Sequence, residues 1–140
     1  MKLGFLFLIF VFVITIVVSM KMVQAVGFSP SSLTFDIGKN QEECKMVTID
    51  SESKTINVSD RWAENKDVEW GVSSFNDNAS SHGISIKYYN ELSLDERKVE
   101  VCLSGNKLGE YHGVLLFQEE QKGSSIIQFG VWLKVLINEQ

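Results

Sequence analysis

The chain has 140 residues, with 13 basic against 18 acidic side chains and a formal net charge of −5. That length suits one domain of ordinary size and excludes a catalytic domain paired with a separate substrate domain. The acidic balance argues against a nucleic-acid backbone as the main partner.

Residues 3–18 (LGFLFLIFVFVITIVV) are almost wholly apolar and follow Lys2. Val23, Gln24 and Ala25 then place short residues around a possible cleavage after Ala25. This is the order of a secretory signal peptide. An uncleaved N-terminal anchor is the alternative, because the run is near the roughly 17–25 residues that span a bilayer. The expected division is therefore 1–25 as signal peptide or membrane anchor and 26–140 as the folded domain. Either reading places the domain outside the cytoplasm, secreted or on the outer face of the membrane. Membrane contact is expected only through an uncleaved N-terminal segment. Removing residues 1–25 takes away Lys2 and Lys21, leaving 11 basic and 18 acidic side chains. Two cysteines, Cys44 and Cys102, fit an oxidising compartment. Two Asn-x-Ser triplets, at Asn57 and Asn78, are possible glycosylation acceptors.

Strand signals recur along the rest of the chain. They fall at Leu33–Ile37, Cys44–Ile49, Ile56–Val58, Val68–Phe75, Ile84–Tyr89, Lys98–Leu103, Tyr111–Gln118 and Ile126–Ile137. Gly, Ser, Asn, Asp or Lys separates them, the spacing of a sandwich or barrel. Only Asp60–Asp67 and Leu92–Arg97 are helix candidates, and helices that short are marginal alone. Alternation gives the inner faces: Val68, Trp70 and Val72; Ile84, Ile86 and Tyr88; Val99, Val101 and Leu103; and the odd residues from Ile127 to Ile137. Tyr111–Gln118 and Ile126–Ile137 read as a hairpin. The first of these strands is apolar on both sides, so it is expected to be central or covered on its second side. Trp132 and Leu136 fall on the outer side of the last strand. They predict either an edge covered by the N-terminal loop or a helical turn, or a contact surface.

Cys44 and Cys102 share parity with solvent-facing neighbours. In an immunoglobulin-type order the second and fifth strands are neighbours in one sheet. A Cys44–Cys102 bond is then a cross-strand staple on an outer face. Two free thiols in a reducing setting are the alternative. Two cysteines this far apart lack the close ligand pairs of a zinc site, and neither a metal nor a cofactor is expected.

Chemistry-bearing residues are few. His112 reads as a hydrogen-bonded sheet residue. His82 lies in the Asn76–His82 loop, where Ser80, His82 and Asp77 permit a hydrolase reading without a nucleophile elbow. Glu42 with Glu43, and Glu119 with Glu120, read as solvated charge. Asp60, Arg61 and Trp62 form a local cluster. Trp62 either contacts a ligand or plugs one end of the sandwich, with Asp60 capping a helical turn.

Phe28–Gly38 (FSPSSLTFDIG) and Gly109–Phe117 (GEYHGVLLF) resemble the opening strand and the final-hairpin strand of secreted or cell-surface immunoglobulin-like modules. The resemblance spans residues 28–137. It implies an all-β, immunoglobulin-like antiparallel sandwich of 7–8 strands behind an N-terminal apolar helix. It brings no shared catalytic residues. One membrane helix before a surface sandwich also resembles archaellum stator components in layout. The expected function is a non-catalytic binding or structural module that contacts an extracellular or envelope protein. Trp62, Trp132 and Leu136 are its candidate contact residues. Self-association as an envelope component and a small secreted hydrolase are the alternatives.

Overall fold

In the computed structural model, residue 4 and residues 8–14, 27–119 and 126–139 are described. Residues 8–14 are helical and exposed. No described helix is long and apolar enough to cross a membrane. The proposed cleavage region lies outside the described residues.

Nine strands follow: β1 (Gly27–Ser29), β2 (Ser32–Gly38), β3 (Glu42–Asp50), β4 (Thr55–Trp62), β5 (Ile84–Lys87), β6 (Glu91–Ser93), β7 (Lys98–Gly105), β8 (Gly109–Glu119) and β9 (Ile127–Asn138). They form a four-stranded sheet of order β1-β3-β7-β5 and a five-stranded sheet of order β2-β9-β8-β4-β6. The chain changes sheets at its start. β1 pairs antiparallel with β3, and beyond a cis Ser29–Pro30 bond β2 lies parallel to β9. All other pairs are antiparallel. This is the expected immunoglobulin-like sandwich.

The alternation read from the sequence makes the core. Val47 and Ile49 of β3, Val99, Val101 and Leu103 of β7, Leu115 and Phe117 of β8, and Val131, Leu133, Val135 and Ile137 of β9 are buried in one cluster between the sheets. The expected hairpin is present as β8 and β9, paired from Gly109↔Ile137 to Glu119↔Ile127. Its connecting residues 120–125 lie outside the described set.

Several expectations are corrected. Val68–Phe75 is not a strand; it holds bends and a short 3-10 turn at Val72–Ser74. Trp70 is consequently 45% exposed rather than on an inner face. Neither helix candidate forms: Asp60–Trp62 ends β4, and Leu92 sits in β6 with a turn after it. The three-residue strands β1 and β6 are additional, so Cys102 lies on the seventh strand of nine. Glu119 is not solvated; it is 2% exposed and accepts a hydrogen bond from Ser51 Oγ.

The connection from β4 to β5 covers the outer face of the larger sheet. Its base is pinned by a reciprocal bridge, in which Trp62 N donates to Asp77 O (3.0 Å) and Asp77 N to Trp62 O (2.9 Å). Ala63 N also donates to His112 O (2.9 Å). Phe75 and Ala63 bury against Val114 and Leu116 in a second cluster, with Val68, Val72 and Trp132 packed around them. This strap explains why β8 is apolar on both faces: one face fills the sandwich and the other receives the strap.

Candidate functional site

The strap sets an aromatic cluster on β8 and β9. In register, Val114 faces Trp132 and His112 faces Lys134. Period-2 alternation puts these four side chains on the same outer face. Trp70 reaches down onto them. Its ring stacks on His112 with centroids 4.4 Å apart and planes 26° apart, and meets Trp132 edge-on at 5.1 Å. Phe75 closes the group beneath, 5.6 Å from Trp70 and 5.7 Å from Trp132. Offset-stacked and edge-on pairs are the favoured aromatic geometries, each worth about 0.5–1.5 kcal/mol beyond area burial.

A groove of about 300 Å³ opens beside the cluster, lined by Trp70, Trp132, Lys134, Ser32, Leu33 and Thr34. It runs along β2, which ends the larger sheet. Trp132 N donates to Ser31 O (3.0 Å) and Lys39 N to Asn138 O (2.8 Å). In a parallel ladder alternate residues face the partner strand. Ser32, Thr34 and Asp36 therefore aim their backbone N–H and C=O groups away from β9, at the free edge.

Beneath Trp70, the His112 ring is 8% exposed. Its Nε2 lies 2.8 Å from Glu110 Oε1, and the Lys134 ammonium is 3.6 Å from the same oxygen. The hydrogen bond from His112 is the main cause holding the Glu110 carboxyl below its ordinary range, with Lys134 adding to it. Glu110 is thus ionised and His112 Nε2–H donates to it. The ring's Nδ1 is buried without a hydrogen-bond partner. A second cleft of about 320 Å³ lies alongside, lined by His112, Tyr111, His82, Glu64, Asn65 and Lys66 among others.

The sequence-named residues distribute as follows. Trp62 is fully buried, so it is the plug and offers no contact surface. Its Nε1 donates to Asp60 Oδ2 (2.7 Å), and Tyr88 OH donates to Asp60 Oδ1 (2.5 Å). Asp60 is therefore a core anchor and not a helix cap. Trp132 joins the cluster. Leu136 sits on the same face beyond Lys134, opposite Glu110. Cys44 and Cys102 pair directly across β3 and β7 and are bonded, with Cα atoms 4.0 Å apart. Asn57 and Asn78 are both exposed, one in mid-strand and one before the Ala79–His82 turn.

The Asn76–His82 loop does not assemble a triad. His82 Nε2 lies 3.2 Å from Asp77 Oδ2. Ser80 Oγ, however, donates to Asn78 Oδ1 at 2.7 Å, as does Ser81 Oγ at 2.8 Å. The hydroxyls serve the turn, and neither is bonded to the imidazole. Among the described residues the one tight group of metal-type ligands is Glu42, Cys44 and Cys102. Its two sulfurs are committed to the disulfide.

Sequence reasoning missed Trp70 and His112 as partners. Alternation places Trp70 in a strand interior; the two-sided apolar pattern of β8 signals that its second face is covered but not which segment covers it.

Neither a family model nor a curated protein matches the chain. Solved structures do resemble it. The PapD-like domain 7 of human CEP192 superposes with a TM-score of 0.58 at 11% identity, over 86% of this chain and 94% of that one. The class 5 fimbriae chaperone CfaA gives 0.55 at 16% identity, over 83% of this chain. A chain of a chaperone–tip adhesin complex of CFA/I fimbriae biogenesis gives 0.57 at 14%, over 84%. This chain spans 58% of each of those last two. At such identities the likeness establishes the fold, an immunoglobulin-like sandwich of the PapD-like kind.

Proposed function

We propose that this domain is a non-catalytic protein-binding module working outside the cytoplasm, and that its partner docks along β2 and the Trp70–Trp132 groove. The observation that carries this reading is the meeting of a half-exposed tryptophan with a strand edge that no described strand pairs. Tryptophan gives much contact area with few rotatable bonds. The outward N–H and C=O groups of Ser32, Thr34 and Asp36 offer the main-chain hydrogen bonds that extended ligands use. The disulfide and the apolar leader support an oxidising, exported setting. The resembling chaperone–tip adhesin complex supports a protein as the partner class.

Site-specific photocrosslinking in the native host tests this. With the probe at Trp70 or Thr34, the same crosslinked protein is expected from both positions. A probe at Thr48, exposed on the other sheet, is expected to give none. Equal yields from all three positions would overturn the assignment. A crosslinked species of twice the chain mass would identify a second copy as the partner.

A further inference from the structure

We propose that His112 is a pH-dependent latch for Trp70: its protonated ring holds the indole against the sheet and keeps the groove formed, and deprotonation loosens it. The inference rests on reading the Trp70–Trp132 groove as the contact site and supplies the regulation of that site.

The geometry is specific. The His112 ring is 8% exposed, and the Trp70 indole stacks on its face at 4.4 Å. A cation over an indole face is attracted by the ring quadrupole, most strongly when it is shielded from water. A neutral imidazole in the same place lacks that attraction. Trp70 is 45% exposed and, besides His112, meets only the rings of Trp132 at 5.1 Å and Phe75 at 5.6 Å among the described residues. Histidine is also the side chain whose ordinary titration spans pH 5–8.

The groups around the ring determine the direction. Glu110, on the same strand, is 2.8 Å from Nε2 and favours the imidazolium. Lys134, directly opposite on β9, opposes it, but its ammonium is turned to Glu110 at 3.6 Å. Ala63, just past β4 and bonded to His112 O, is uncharged, whereas Arg61 of β4 pairs with Val114 on the same outer face and is a second cation that opposes the imidazolium. The strap adds Glu64 and Lys66 at the rim of the adjoining cleft, a pair of opposite sign. His82 lines the same cleft with Asp77 at 3.2 Å. The nearest charge is thus the Glu110 carboxylate, which its hydrogen bond with His112 holds below the ordinary carboxyl range. The latch is therefore closed on the acid side and released as pH rises.

The full chain tests this without any partner. Acrylamide quenching of its tryptophan fluorescence, followed from pH 5 to 8, reports the access of solvent to Trp70 and to Trp132 beside it, Trp62 being fully buried. The quenching constant is expected to rise about twofold with pH in the parent. It should be flat in His112→Gln and should still rise in His82→Gln, which separates the two histidines. A flat profile in the parent, or an unchanged rise in His112→Gln, would overturn the latch. Should His112→Gln fail to fold, the imidazole resonances of Trp70→Ala give a second reading. By reciprocity of linkage, loss of the indole must lower the proton affinity of His112; an unchanged or higher affinity would overturn the proposal. Flat quenching with intact crosslinking from Thr34 removes the latch alone. Absent crosslinking with a normal quenching profile removes the partner reading alone.

Discussion

At the scale of single residues, Asp60 connects two parts of the core. It accepts from the Trp62 indole N–H and from the Tyr88 hydroxyl. Asp60→Ala leaves a buried indole N–H unpaired, and such a loss costs about 1–3 kcal/mol. Urea unfolding should show a lowered midpoint with an unchanged slope. The same contact has a pH signature. Burial, together with the hydrogen bond and charge of Asp60, raises the Tyr88 titration well above its ordinary value of 10.0. Above pH 10 the unfolded chain releases this proton while the folded chain retains it. The contribution is therefore complete below pH 10 and declines as pH rises toward the folded value. Tyr88→Phe should flatten that alkaline decline in a pH series of unfolding midpoints. Gly113 is as tightly constrained. A Cβ there would meet the Trp62 ring at 2.8–3.0 Å. Gly113→Ala must displace the largest core side chain, and overpacking of this kind costs about 1–3 kcal/mol, readable as a fall in Tm. Asp60, Arg61 and Trp62 stood out in the sequence as a cluster. The inward direction of Trp62 is not read there because the expected strand ends at Val58; once β4 runs on to Trp62, alternation groups it with Ile56 and Val58, opposite the wholly polar Thr55, Asn57, Ser59 and Arg61. The Trp62↔Gly113 pairing decides it, since only glycine opposite leaves room for the ring.

At the scale of elements, the disulfide joins strands that a ladder already holds. β3 and β7 pair over seven positions from Glu42↔Ser104 to Thr48↔Lys98, with Cys44 opposite Cys102 as the third pair. Val47 and Val99 pair on the inner face, opposite to the side that carries the sulfurs, and are fully buried. The bond's effect therefore falls on the unfolded chain. With 58 residues of separation, the chain-entropy estimate is about 4 kcal/mol. Cys44→Ser with Cys102→Ser should keep the far-ultraviolet spectrum of the parent and lower unfolding stability by about that amount. Loss of the sheet spectrum would show that the ladder cannot stand unaided. Period-2 alternation in β3 and β7 makes the outward direction of both sulfurs legible, because each cysteine is out of phase with the buried positions of its strand, Val47 and Ile49 in β3 and Val99, Val101 and Leu103 in β7. The same rule failed at Val68, Trp70 and Val72. Those side chains are apolar because they cover Val114 and Leu116, not because they line the sandwich. Strap and strand have the same local pattern, and only the tertiary return of the chain separates them. β1 and β6, at three residues each, are too short for any alternation to register.

At the scale of the whole molecule, stability is distributed unequally, and the distribution bears on function. One cluster takes side chains from both sheets and fills the space between them. The strap over the outer face has its own small cluster, of which Ala63, Phe75, Val114 and Leu116 are fully buried. Its backbone is tied mainly at the base, by the Trp62–Asp77 bridge and the Ala63–His112 bond. Between those ties the chain makes short turns, with Ser74 N donating to Gly71 O and Phe75 N to Val72 O. Segments with few buried contacts open at a smaller free energy than the core. Native-state hydrogen exchange should therefore show amides of residues 64–76 exchanging by a local opening, well below the global unfolding free energy that governs β7, β8 and β9. Phe75→Ala, which removes the main anchor of the strap, should widen that gap, accelerating exchange in the strap while the core amides change less. Uniform protection across strap and sheets would show that the two clusters unfold as one. The arrangement places Trp70 on the lightly anchored strap and the β2 edge on a strand paired along its length with β9. A partner engaging both would meet a fixed strand and an adjustable aromatic side chain, so its affinity would depend on how firmly His112 and Phe75 hold the strap in place.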